Sequence, residues 1–241
     1  MTEYVGLDVS KEETSMCVVD EAGSILWSGK ALSDPASIFA ALREHTLCPE
    51  RIVLETGTLS NWLARGLRAQ GLSVDVIDAR HAHAVLKLQH NKTDANDARL
   101  LAEIARTGFC RPVSVNSEAA QKHRILIKAR LHLVRQRRDT QNAIRGFLGA
   151  LGIRFAKGAG TLDRRVRTAL AERPDLAAMI EPLVSSAEAL RAQIKRLDAE
   201  VAREAKASAA CRLLMTVPGV GMVTALAFAA TIDDAGRFPR S

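Results

Sequence analysis

Cysteine is scarce in this 241-residue chain and never paired: Cys17, Cys48, Cys110 and Cys211 stand far apart, with no C-x-x-C and no histidine at ligand spacing. That pattern excludes a zinc site or a disulfide framework and suits a reducing cytoplasm. Aromatic residues make up 4% of the chain and include a single tyrosine, Tyr4. Few side chains are therefore available for base stacking, and nucleic-acid recognition would have to work through backbone and shape. Long hydrophobic runs are missing too, the longest, residues 222–232, being too short to cross a bilayer. No basic-then-apolar leader precedes the first strand, so a soluble, cytoplasmic protein is expected. The first strand is not followed by G-x-G-x-x-G, which weakens a dinucleotide-binding sheet.

Acid is the next absence, and it is local. The net charge is +7, but residues 1–110 carry −4, residues 111–167 carry +11 and residues 168–241 carry none. Between Gln121 and Arg145 there are eight Lys/Arg and one acid, Asp139. A solvated helix face usually mixes both signs, so this segment points to a polyanion partner. The candidate contacts are Lys122, Arg124, Lys128, Arg130, Arg135, Arg137, Arg138 and Arg145.

The first third of the chain alternates strand-like and helical runs. Residues 3–9, 14–20 and 25–31 read as strands, the last two joined by the turn Glu21-Ala22-Gly23-Ser24. Ser33-Asp34-Pro35 supplies a cap and a first-turn proline for a helix to His45. Residues 51–55 and 73–77 read as buried-type strands around a helix over 59–70, and a further helix runs from near Thr93 to Gly108. Three antiparallel-capable strands followed by alternating helices and strands is the order of the RNase H-like α/β fold. Beyond Pro112 the pattern is helical, with one long basic helix or two joined ones over 116–151 and a glycine-containing loop at Lys157-Gly158-Ala159-Gly160. Leu183, Ala187, Leu190, Ile194, Leu197 and Val201 then form a heptad seam of nearly three repeats. It serves equally as the inner face of an intramolecular helical hairpin or as a dimerisation coiled coil.

Four acids stand where that fold would gather them. Asp8 ends the first strand in Gly6-Leu7-Asp8-Val9-Ser10, an apolar run in which a lone buried carboxylate would be costly. Glu55 ends the fourth strand in Val53-Leu54-Glu55-Thr56-Gly57. Asp94 and Asp97 are three apart on the last helix, with Cβ atoms about 5–6 Å apart on one face. Four such carboxylates repel unless cations neutralise them, and oxygen-only ligation favours Mg²⁺ or Mn²⁺. Two such ions about 3.5–4 Å apart can clamp both oxygens of a phosphoryl transfer. Taken singly, Asp94 also reads as a helix N-terminal acid and Asp97 as an exposed residue. Lys92 could steady a phosphate or simply be solvated, His81 and His83 face different ways and receive no role, and Trp62 is expected in the core.

The elements Val5-Gly6-Leu7-Asp8-Val9-Ser10-Lys11, Leu54-Glu55-Thr56-Gly57, Asn91-Lys92-Thr93-Asp94-Ala95-Asn96-Asp97-Ala98 and Val217-Pro218-Gly219-Val220-Gly221 together resemble the DEDD-type insertion-sequence transposases. That family includes pilin-inversion and bridge-RNA-guided recombinases. The resemblance implies a RuvC-like domain over 1–112, a basic helical and coiled-coil connector over 113–210 that mediates oligomerisation, and the start of a C-terminal transposase domain over 211–241. It also implies that Asp8, Glu55, Asp94 and Asp97 are catalytic metal ligands, that DNA and a structured guide RNA are partners, and that a dimer or dimer of dimers forms the composite site. Gly219 and Gly221 resemble a helix-hairpin-helix turn whose N–H groups can take a phosphate. In the family a nucleophilic serine lies beyond the element that Arg237-Phe238 resembles, so the chain resembles the N-terminal three-fifths of a transposase.

Other readings use fewer residues. A non-catalytic nucleic-acid-binding and oligomerisation module needs only the basic helix and the seam. A sugar-kinase or actin-like ATPase shares the first strand and hairpin but lacks a second glycine-rich phosphate loop. A RuvC-like junction nuclease would not need the long helical extension.

Overall fold

The computed structural model describes residues 2–46, 48–78, 94–109, 111–155 and 162–238. They form two compact units, Met1–Asn116 and Ser117–Ser241. Lys92, Thr93, His81, His83, Cys110, the 157–160 loop and Ser241 lie outside the described residues.

The first unit is built on a six-stranded sheet of β1 (Glu3–Val9), β2 (Glu13–Val19), β3 (Ile25–Leu32), β4 (Pro49–Glu55), β5 (Val74–Ile77) and β6 (Pro112–Val113). Their order is β3-β2-β1-β4-β5-β6. β2 runs antiparallel to β1 and β3, β4 runs parallel to β1 and β5, and the two-residue β6 is antiparallel to β5. This is the RNase H-like order, with a short edge strand added that the sequence pattern does not reveal.

Side-chain parity assigns the two faces. Val5, Leu7, Met16, Val18, Ile52, Leu54, Val74 and Val76 point to one side, where they pack with α1 (Pro35–His45) and α2 (Ser60–Ala69). Tyr4, Cys17, Val19, Val53 and Ile77 point to the other, against α3 (Asp94–Thr107) through Ala98, Leu101, Ala102, Ile104 and Ala105. Each fully buried aliphatic side chain here contributes about 1.5–3 kcal/mol of apolar burial. The Cys17 thiol sits in this second core, and burial pushes its pKa up.

α1 starts where Asp34 accepts hydrogen bonds from the Ser37 and Ala36 N–H groups, bonds that hold its carboxyl below the usual carboxylate range. α2 turns Leu63, Ala64 and Leu67 inward and leaves Trp62 45% exposed. Trp62 is thus a surface residue and not the core residue expected from its size, because at 100° per residue it falls outside the inward stripe.

The second unit contains α4 (Glu118–Gly149), α5 (Leu162–Ala169), α6 (Pro174–Ala207), α7 (Ala209–Leu214) and α8 (Met222–Ile232). Ser117 caps α4 by accepting from Ala120 N, and Gly152 just after the helix takes φ +78°. α4 and α6 form an antiparallel hairpin: Ile144 and Leu148 meet Ile180 and Val184, Arg130 pairs with Asp198, and His123 meets Glu204. The heptad seam therefore packs within the chain. Its buried column is Ala187, Ile194 and Val201, continued by Ile180, Val184 and Ala205, while Leu183, Leu190 and Leu197 are half-buried at the flank. Val201 and Ala205 also pack with Cys211, Ala225 and Leu226. No helix of the described residues is long and apolar enough to cross a membrane.

Candidate active site

Parallel pairing of β1 with β4 places Leu7 opposite Leu54, so the next residues, Asp8 and Glu55, leave the sheet side by side. Parity puts both on the face covered by α3. A cavity of about 400 Å³ opens at this edge and is lined by Asp8 and Glu55, by Ser10 and Lys11 of the β1–β2 turn, and by Thr56 to Ser60 of the β4–α2 turn.

Both turns are held by buried hydroxyls. Ser33, 8% exposed, donates to the Ser10 carbonyl at 2.8 Å, so its 2.8 Å contact with the buried Thr14 hydroxyl must have Thr14 as donor. Across the cleft the Ser60 hydroxyl, also buried, donates to the Gly57 carbonyl at 2.9 Å and accepts from the Gly57 N–H at 3.1 Å. The Ser10 carbonyl and the Gly57 backbone are thereby held at the two sides of the cavity, and exposed Lys11 follows Ser10.

α3 reaches the same edge by running antiparallel to β1. Ala98 and Ala102 lie directly over Gly6, where a Cβ would run into the Ala98 carbonyl oxygen and the Ala102 nitrogen. Toward the C-terminus of the helix, Arg51, level with Tyr4 at the start of β1, donates to the Ala105 carbonyl, and Arg106 donates to Glu21 O. The first turn, with exposed Asp94 and half-buried Asp97, therefore lies toward the Asp8 end of the sheet. Asp8 and Glu55 share the cavity; Asp94 and Asp97 are not among its lining residues. Among the described residues no group of three or more His, Cys, Asp or Glu stands close enough to hold a metal ion. The oxygen-only donors of the cavity are those a hard divalent cation takes. Lys11 and the clamped hydroxyls were not singled out from sequence as site residues, although Lys11 closes the Val5–Lys11 motif.

In the second unit, exposed Arg124, Lys128, Arg135 and Arg138 fall within about 80° of arc on the outer side of α4. Lys122 pairs with Glu118 at 2.6 Å, and Arg138 lies 3.3 Å from Asp139. Arg130 is turned inward to Asp198, and Arg137 and Arg145 are half-buried with Nε atoms that find no partner. Arg130, Arg137 and Arg145 are thus structural neighbours of the helical hairpin, whereas the outer four form a cationic stripe. Gly219 takes φ +85° in a turn closed by Val220 N donating to Val217 O, and Gly221 opens α8 without a side-chain cap. A positive φ at this place requires glycine or tolerates little else.

A family model described as a transposase, of the DEDD IS110 type, matches residues 5–152, more than half of the chain. The chain belongs to this transposase family. A second model, of the transposase IS116/IS110/IS902 family, matches residues 211–241. The transposase for insertion sequence element IS1111A of Coxiella burnetii is 28% identical over 99% of this chain and 65% of its own length. A probable family 20 transposase of Pseudomonas aeruginosa is 27% identical over 97% of this chain and 69% of its own. The chain thus spans about two-thirds of the length of these relatives. A Thermus thermophilus RuvC structure aligns over 46% of this chain and all of its own, at 15% identity and a TM-score of 0.32; the fold assignment rests on the strand order instead.

Proposed function

We propose that this transposase-family chain provides the metal-binding and nucleic-acid-binding parts of an enzyme that carries out Mg²⁺-dependent phosphoryl transfer on insertion-sequence DNA. The observation that carries the reading is that Asp8 and Glu55, set side by side by the parallel pairing of β1 and β4, line one cavity. Asp8 and Glu55, with Asp94 and Asp97 completing the set, would hold Mg²⁺ or Mn²⁺. A divalent ion bound there supplies Lewis-acid stabilisation of the charge that develops on phosphate oxygens. The chain's own groups do the positioning: Lys11 offers a cation to a phosphate entering the cavity, and the Ser33 and Ser60 clamps keep both turns from drifting. Lys92, two residues before Asp94 in the sequence, is a further proposed phosphate contact. The α4 stripe and the Gly219–Gly221 turn would hold the DNA backbone and, by the family resemblance, a structured guide RNA. A second copy of the chain is a further partner, with residues 113–210 as the connector.

The experiment is Mn²⁺ binding by calorimetry, without nucleotide, on the wild type and on Asp8→Ala, Glu55→Ala and Asp97→Ala. Binding that each substitution abolishes supports the reading. Equal, negligible heat in all four chains would favour a non-catalytic nucleic-acid-binding module, a reading motivated by the cationic stripe.

A further inference from the structure

The +11 segment does not end with α4. From Thr140 to Ala171 the only acid is Asp163, and it is buried, with its Oδ1 shielded from solvent. Past Arg145, which is half-buried on α4, the arginines of this stretch divide into two kinds. Arg167 donates to Glu181 and Glu188, and these bonds push its pKa further up and hold both glutamates below the usual range. Its charge is already paired with two carboxylates of the same chain. Arg154, Arg164 and Arg165 instead line an open pocket of about 480 Å³ with Phe155 and Thr168, and none of the three pairs with a described carboxylate. The Arg165 guanidinium lies over the Phe155 ring, 5.8 Å from its centroid. Thr168 donates to the Arg164 carbonyl, one turn back on α5.

Three guanidinium groups facing one pocket repel each other, and the cheapest way to offset that is a bound polyanion. The composition of the pocket narrows the class. Planar, multidentate donors match phosphate oxygens, and an arginine backed by an aromatic ring presents a flat surface on which a nucleobase stacks. A duplex buries its bases and would use only the charges. We infer that this pocket of the second unit binds single-stranded nucleic acid, with Arg154 and Arg164 on consecutive phosphates and a base against Arg165 and Phe155. It is a site separate from the cationic stripe of α4, and it supplies one stacking platform in a chain otherwise poor in them. It does not depend on the metal reading.

The test is fluorescence anisotropy with short labelled oligo(dT), oligo(rU) and a DNA duplex, titrated with the full chain in EDTA across a salt series. The variants are Arg164→Gln/Arg165→Gln, Arg154→Gln alone, Phe155→Leu, and Arg124→Gln/Arg135→Gln on the α4 stripe. We expect the pocket double variant to weaken single-strand binding by about tenfold or more and to make the salt slope shallower by about 0.7 for each phosphate that is no longer neutralised. Phe155→Leu should weaken single strands by about fivefold or more and leave the duplex unchanged. Tighter binding of oligo(rU) would identify the ligand as RNA, and tighter binding of oligo(dT) as DNA; either supports the site. Wild-type affinity and slope in the Arg154, Arg164/Arg165 and Phe155 variants would overturn it, as would a loss of single-strand binding confined to the α4 variant. Because the pocket is assayed in EDTA, its binding needs no divalent ion, so a failure of the metal reading leaves this result intact.

Discussion

Gly6→Ala is the most informative single change in the first unit, because one methyl group would test both the seating of α3 and the placement of its acids. An added Cβ meets the Ala98 carbonyl oxygen and the Ala102 nitrogen well inside van der Waals contact, and the Leu101 carbonyl carbon at 2.8 Å. All three are backbone atoms of a helix, so no side chain can swing aside, and α3 has to retreat by on the order of 1 Å. Its packing against Tyr4, Cys17, Val19 and Val53 loosens as a unit. Overpacking of this kind costs about 1–3 kcal/mol, and the backbone character of the clash puts Gly6→Ala at the upper end. The gain of up to about 1 kcal/mol from removing a strand glycine offsets only part of it. For a unit of this size about 2 kcal/mol corresponds to a fall in melting temperature on the order of 10 °C. Differential scanning calorimetry of the full chain is the assay. Gly57→Ala, where nothing lies within 4 Å of the added atom, is the matched control and should change stability by no more than about 0.5 kcal/mol. A Gly6→Ala chain melting within about 2 °C of the wild type would refute the close seating of α3 over β1. Under the proposed function the same variant should also bind Mn²⁺ more weakly, since Asp94 and Asp97 ride on the displaced helix.

Two further outcomes follow from the polar contacts. Ser33→Ala removes the buried hydroxyl joining Thr14 to the Ser10 carbonyl and should cost about 1–3 kcal/mol in denaturant unfolding, while an unchanged midpoint would show that the β1–β2 turn is not clamped. In the second unit the depressed pKa values of Glu181 and Glu188 mean that their pairing with Arg167 stabilises the fold above the unfolded carboxylate pKa of about 4.3 and is lost as pH falls through the lower folded values. Arg167→Gln should therefore lower the melting temperature at pH 7 and lose that deficit at strongly acidic pH; a deficit that persists undiminished there would assign the effect to packing.

The local chemistry of the chain was written in short stretches of residues. β-branched runs closed by turns marked β1 to β5, Asp34 and Pro35 marked the start of α1, and glycines marked the ends of helices, because each of these preferences acts over a few neighbouring residues. The strand-end positions of Asp8 and Glu55 and the one-sided charge of α4 were legible for the same reason. β6 was not, since two residues carry no periodicity and owe their strand geometry to pairing with β5. Neither was the division of the heptad positions into a buried column at Ala187, Ile194 and Val201 and a half-buried one at Leu183, Leu190 and Leu197: both repeat every seven residues, and only the partner helix distinguishes them. Trp62 was misplaced because its apolar surface says nothing about which side of α2 meets the sheet.

Charge shows the boundary most clearly. Residue order alone established that residues 111–167 are strongly cationic and that four acids sit at the ends of strands and at the start of a helix. It could not say that Arg130 and Arg167 are consumed by carboxylates 68 and 14 residues away while Arg154, Arg164 and Arg165 are left around one pocket. Nor could it say that Asp8 and Glu55 share a cavity, which follows from the parallel register of two strands separated by a helix and a hairpin. Propensities and caps are settled by neighbours in the chain; the company each charge keeps is settled by long-range packing, and the chemistry available to these residues depends on that company.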